Sequence, residues 1–244
     1  MGNFLKLSLN QTKRIGKDNM MLALSVYPII LALVGRFLVP YLRGAFIHQF
    51  DLMDHYPTIV TFLMLANPYI YGALAAFMLL DEREENVLQA LRVSPLSLDR
   101  YLLAKVSFFI LLSLVSGVAI VNIADLMPLN LGIILLVNLI LTLGAPFNMI
   151  LINAFAKNRV EGFAIVKGTG MLIMLPLLVF YIPKQFHVIA ALVPGYWPAM
   201  ALYKSITPQV SAFPVWFYLV GGILYMLLLM ILLFKKFYQS LAGR

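Results

Sequence analysis

The chain contains no cysteine, which excludes a disulfide framework, a cysteine–zinc centre and thiol chemistry, and leaves the redox compartment unmarked. Charge is scarce as well. Asp, Glu, Lys and Arg make up 11% of the 244 residues while 62% are hydrophobic, against about a quarter charged and about 45–50% apolar in an ordinary soluble domain. That balance excludes a soluble globule. The phosphate-binding loop GxxxxGK[ST] is absent from the sequence, so this chain is not expected to hydrolyse ATP or to be an enzyme in its own right. Neither internal repeats nor ionisable residues in the middle of an apolar run are visible, which weighs against an autonomous ion-coupled carrier.

What the sequence has instead is a series of continuous apolar runs, without the alternation that barrel strands show. Lipid offers no partners to backbone groups, so such runs cross it as helices. They cover about 20–42, 57–80, 105–123, 129–155, 163–182 and 213–234, and a helix of roughly 20 residues crosses the hydrocarbon core. The expected fold is an all-α membrane protein, a single transmembrane domain over 1–244 with six transmembrane helices. The first run is too long for the apolar core of a cleavable signal, and Met1–Gly2 lacks the serine or threonine of a myristoylation signal, since Lys6 occupies that place.

Six spans put both termini on one side. Fourteen of the 18 Lys and Arg residues fall there: Lys6, Lys13, Arg14, Lys17, then Arg83, Arg92, Arg100, Lys105, then Lys157, Arg159, Lys167, and finally Lys235, Lys236 and Arg244. Only Arg36, Arg43, Lys184 and Lys204 fall on the other side. The positive-inside rule then makes both termini cytoplasmic. The net charge of +8 belongs to this asymmetry, and no nucleic-acid partner is expected.

Three stretches outside the runs carry information. In residues 1–19, Phe4, Leu5, Leu9 and Ile15 alternate with basic residues, as in an amphipathic interfacial helix anchored on the inner leaflet. Residues 81–104 read as helix, break, helix. Asp81–Glu85 suit a helix N-terminus, Val87, Leu88 and Leu91 share a face that needs a partner, Pro95 forces Ser94 to be extended, and Ser97 is placed to cap the helix carrying Tyr101 and Lys105. Residues 183–212, broken by Pro194, Pro198 and Pro208, suit short outer re-entrant or interfacial helices, with Tyr196, Trp197 and Tyr203 at headgroup level.

Inside the runs, Asn67–Pro68 and Pro146–Asn148 combine a helix-breaking proline with an amide. Each predicts a kink, which could border a translocation pathway or serve plain helix packing. Arg36 and Lys167 lie near span ends and are expected to snorkel to headgroups. His48, Asp51, Asp54 and His55 cluster in the first outer loop and could ligate a divalent cation, but no known metal spacing is met and a solvated loop is favoured. The intramembrane-protease pattern EExxxR fails after Glu84–Glu85, because neither Gln89 nor Ala90 is arginine.

Two stretches resemble the membrane subunits of type-2 ATP-binding cassette transporters. Glu82 to Ser97 is similar to that family's acidic, leucine-containing coupling segment with its Ser/Thr-Pro-Leu-Ser corner, and Leu192 to Leu202 is similar to its outer proline and aromatic segment. Asn86 departs from the glycine that many members carry. The resemblance implies a prokaryotic plasma- or inner-membrane permease that dimerises with a second copy or a homologous permease and contacts membrane lipids. It also implies an ATP-binding cassette ATPase subunit that holds ATP and magnesium, this chain binding no cofactor itself. The ATPase would grip Glu84, Glu85, Val87, Leu88, Leu91 and the corner Arg92, Ser94, Pro95, Leu96 and Ser97, and drive export. The apolar spans favour a hydrophobic or amphipathic cargo such as a drug, lipid, peptide or glycan-lipid. The alternatives are a membrane-embedded enzyme using the first outer loop, or an ion-coupled carrier.

Overall fold

The computed structural model describes residues 11–92, 97–178, 180–208, 211 and 213–242. Phe4, Leu5, Lys6 and Leu9 of the expected anchor, and Ser94, Pro95 and Leu96 of the corner, lie outside the described residues, as does the side chain of Arg92. Residues 11–15 are helical.

Among the described residues six segments are long and apolar enough to cross a membrane: Asn19–Phe46, Leu52–Glu84, Leu98–Ala124, Leu131–Phe155, Arg159–Leu178 and Val215–Leu241. The first is α1 (Asn19–Leu33), a π-helical turn (Val34–Leu38) and α2 (Val39–Phe46). Asp18 caps α1 by accepting from the Met20 and Met21 N–H groups at 2.9 and 3.1 Å. The widened turn precedes Pro40, which has no N–H to return and whose ring crowds the carbonyl of Arg36. Gly35 in that turn lets span three approach, since a Cβ there would sit 2.7 Å from the Ala124 Cβ.

Span two is the axis of the molecule. After a 3₁₀ turn (Leu52–His55) it runs as α3 (Tyr56–Glu84), and 89% of its most apolar window is buried, against 28% for spans one and three and 17% for span six. The other spans therefore pack around α3 and turn an apolar face outward, as Leu103, Leu111 and Val115 of span three do. Asn86, at φ 59°, ends this span in the left-handed region that glycine or asparagine adopts at least cost. That backbone accounts for asparagine at the position where the resemblance leads to an expectation of glycine.

The short α4 (Val87–Arg92) follows, and then α5 (Leu98–Ala124), which starts directly after Ser97 and carries Tyr101 and Lys105 into the apolar run from 105. Ser97 occupies the cap position of α5 with extended backbone, but its side chain makes no capping bond, contrary to expectation. Span four is two helices, α6 (Leu131–Leu141) and α7 (Gly144–Phe155), broken at Thr142–Leu143 just ahead of Pro146. A break there leaves Pro146 in the first turn of α7, where no N–H is needed. Then come α8 (Arg159–Leu178), the single turn α9 (His187–Ala190), α10 (Tyr196–Ile206) and α11 (Val215–Ala242).

The aromatic segment before span six packs against the rest of the chain. Tyr196 is 6% exposed, and Ala199, Met200, Ala201 and Leu202 are buried in the same core as Val60, Met64, Ile134 and Tyr218. Burial pushes the Tyr196 phenol up to about 12. Trp197 donates its indole N–H to the Ala191 carbonyl at 3.0 Å and lies over Gly221 and Gly222 of α11, where an added Cβ would meet the indole ring at 2.5 Å and the Trp197 Cβ at 3.0 Å respectively. Two glycines clear a seat for the indole, so α10 sinks into the bundle.

Candidate functional site

The acidic run Asp81–Glu85 closes α3 and opens nothing, which overturns the expectation that it begins a coupling helix. Carboxylates at a helix C-terminus oppose the dipole, and cations from three other segments offset that cost. Arg159, at the start of α8, donates to both oxygens of Asp81 and, at 2.7 Å, to Asp18. Glu82 Oε1 accepts from Lys105 Nζ at 2.7 Å and from the Tyr101 hydroxyl at 2.6 Å. Arg14 stands 3.7 Å from Glu82 and bonds Glu85 at 2.8 Å. The segment before span one, the end of span two and the starts of spans three and five are thereby tied into one polar cluster.

Its centre is dry. Glu82 and Lys105 side chains are 1% and 0% exposed, so their attraction acts at low dielectric while both depend on pairing for solvation. Nearer the rim, the Arg159 guanidinium, backed by the Met21 N–H, holds the Asp18 carboxyl below its usual value. Lys105 belongs to the helix that follows Ser97. Because α5 starts at Leu98, it lies two turns inside a helix, one turn below Tyr101 on the same face. Arg14, Asp18, Asp81, Glu82, Tyr101, Lys105 and Arg159 were not singled out as a site from the sequence; the i, i+4 spacing of Tyr101 and Lys105 was the one available signal.

The expected partner-facing segment is rearranged by this cluster. Leu88 is 3% exposed in the core that also holds Leu79, Leu80, Tyr101 and Leu102, with Leu91 partly buried against it. The apolar face thought to await a partner is therefore filled by the chain's own core, a burial contributing about 1.5–3 kcal/mol for a leucine. Val87 is half-buried, and Glu84, Glu85, Gln89, Ala90 and Ser97 are exposed. Glu85 is held by Arg14 within the chain.

The proline and amide residues divide. Asn67 is fully buried and donates to the Ser113 carbonyl at 2.7 Å while accepting from the Ser116 hydroxyl at 2.7 Å, so it joins spans two and three. Pro68 and Asn148, with Pro194, Gly195 and Pro198 from before span six, line a cavity of about 300 Å³. Its remaining walls are apolar residues of α3, α6, α7 and α11 with Leu192 and Val193, and Tyr69 of α3 and Thr169 of α8 add hydroxyls. The Tyr69 hydroxyl lies 2.9 Å from the Thr169 hydroxyl and bonds the Val166 carbonyl. A chamber of this size and lining takes a small, largely apolar molecule with few polar groups. Pro146 and Trp197 do not line it.

In the loop between spans one and two, Asp51 and His55 have partners within the chain. Asp51 forms a two-point pair with Arg43 at 2.8 and 3.1 Å and accepts from the Met53 N–H, and Arg43 holds its carboxyl below the usual range. His55 Nδ1 lies 2.9 Å from the Tyr181 hydroxyl. Among the described residues no three His, Cys, Asp or Glu side chains are placed to hold a metal ion. Arg36 pairs at 2.6 Å with Asp125, both side chains remaining exposed, and Lys167 is exposed.

Residues 11–234 match the family described as fluoroquinolones export permease protein Rv2686c-like. Two curated proteins of Mycobacterium tuberculosis are similar over nearly their whole length: the fluoroquinolones export permease protein Rv2686c of strain H37Rv and its counterpart MT2760 of strain CDC 1551. Each is 30% identical over 234 residues, covering 93% of this chain and 91% of the relative.

Proposed function

Because the chain belongs to the Rv2686c-like family of ABC-2 type export permeases, we propose that it carries a fluoroquinolone-like or other amphipathic small molecule through the cavity between spans two, four, five and six. A separate ATPase subunit, which holds the ATP and magnesium, drives it by docking on the α3–α4–α5 corner, with both chain termini on the ATPase side. A second permease copy or a homologous permease completes the pathway.

One observation carries this reading. The helix that lines the cavity with Leu65, Pro68 and Tyr69 is the helix that ends in Asp81 and Glu82. Likewise α8 contributes Thr169 to the cavity and Arg159 to the polar cluster. From Tyr69 to Glu82 is about 20 Å of continuous helix, a stiff rod between chamber and corner. The buried Glu82–Lys105 pair fixes span three to the same corner, so a push on α4 reaches several spans as one body. Exposed Gln89 and Ala90 on α4 and exposed Glu84 offer the surface that a partner would meet.

The test is transport in inverted vesicles from cells expressing the chain with its ATPase subunit, using a fluorescent fluoroquinolone as cargo. Accumulation that needs both ATP and the ATPase subunit supports the proposal. Accumulation driven by an ion gradient without that subunit contradicts it.

A further inference from the structure

We propose that the basic cleft between the ends of α3, α7 and α11 binds the headgroup of an anionic phospholipid. The cleft has a volume of about 870 Å³ and is lined by Arg83, Lys157, Lys235, Lys236, Ser240 and Phe155, among others, with no carboxylate among the described residues of its wall. It lies at the same end as the polar cluster but is separate from it.

The charges at this end are distributed unevenly. On one flank Asp18, Asp81, Glu82 and Glu85 are all matched by cations. In the cleft, among the described residues, no carboxylate comes within ion-pair distance of Lys157, Lys235 or Lys236. Arg83 uses one nitrogen on the Ala156 carbonyl at 3.1 Å, and Lys236 lies 3.5 Å over the Phe155 ring. Glu161 accepts from the Lys157 backbone N–H at 2.8 Å, and Glu161 and Glu84 lie close enough to act on Arg83, so the positive potential that a bound anion would relieve centres on Lys235 and Lys236.

The surroundings select a lipid over a soluble anion. Leu232, 67% exposed, forms part of the cleft wall, and Leu224, Leu228 and Ile231 continue an exposed apolar face along α11 away from the lysines. An occupant with a phosphate at one end and an acyl chain at the other matches both halves. Lys235, Lys236 and Arg83 stand where the apolar windows of their helices end, at the depth of a headgroup, and basic pockets between transmembrane helices recognise such groups.

The test is native mass spectrometry of the purified chain in neutral detergent with dioleoyl phosphatidylglycerol, dioleoyl phosphatidylcholine or inorganic phosphate. The expected result is retention of phosphatidylglycerol in preference to phosphatidylcholine, weakened about tenfold or more in the double variant K235Q/K236Q. Retention should be unchanged in the control K13Q/K17Q, whose lysines are exposed at the same end outside the cleft, and inorganic phosphate should not compete. Equal retention by K235Q/K236Q, equal loss in the control, or displacement by millimolar phosphate would overturn the proposal. So would a K235Q/K236Q variant that keeps its lipid but no longer co-purifies with an ATPase subunit, because the cleft would then be an acidic partner's docking site.

Discussion

Lys105 Nζ lies 2.7 Å from Glu82 Oε1, and neither side chain reaches solvent. A buried pair of this kind adds little net stability, but removing one partner strands the other charge at a cost of about 3–5 kcal/mol. Lys105→Met or Glu82→Gln alone should therefore lower the thermal midpoint of the detergent-solubilised protein sharply. The double variant should recover part of the loss. Strict additivity of the two single effects would show that the pair is not coupled.

Asp18 adds a pH-dependent fastening at the rim. Its carboxyl is depressed in the folded protein by Arg159 and the Met21 N–H, so the stability it contributes is fully present above the ordinary value of 3.8 and is lost as pH falls through the folded value. The stability difference between wild type and Asp18→Asn should be constant from pH 7 down to about 4 and shrink in stronger acid. A difference that grows on acidification would contradict the sign.

Packing between spans two and four depends on Gly72. A Cβ there would lie 2.6 Å from the Ala145 carbonyl oxygen, a backbone atom that cannot swing aside. Gly72→Ala should destabilise the protein by about 1–3 kcal/mol through overpacking, whereas Gly44→Ala, which meets nothing within 4 Å, should leave the thermal midpoint close to that of wild type.

The cavity predicts a transport defect that is separable from assembly. Leu151 lines its wall, and Leu151→Trp should reduce ATP-driven cargo accumulation roughly tenfold, the scale on which apolar pockets discriminate shape. Co-purification with the ATPase subunit should be unchanged. Normal transport by this variant would move the pathway elsewhere.

The spans were legible in the sequence because a continuous apolar run of bilayer length has few alternatives. The polar cluster was not. Asp81–Glu85 carries the composition of a helix start, and only the distant Arg14, Lys105 and Arg159 make it tolerable as a helix end. Leu88 reads as a partner-seeking residue on a helical wheel, yet the start of α5 at Leu98 places Tyr101 and Leu102 where they complete its pocket. Tyr196 and Trp197 have the composition of an interfacial belt, and it is Gly221 and Gly222, in another span, that admit Trp197 to the bundle. Pro68, Asn148, Pro194 and Pro198 were each noticed for local reasons, but their meeting in one cavity is a property of the tertiary fold.

The docking corner can be tested most directly because the chain has no cysteine, so a single introduced thiol reports alone. Ala90→Cys on the exposed side of α4 should cross-link to the ATPase subunit through a thiol-to-amine reagent, more strongly with ATP than without, while Leu131→Cys at the start of α6 should not. Labelling of Ala90→Cys by an impermeant thiol reagent added outside intact cells, with no cross-link to the ATPase subunit, would contradict the account.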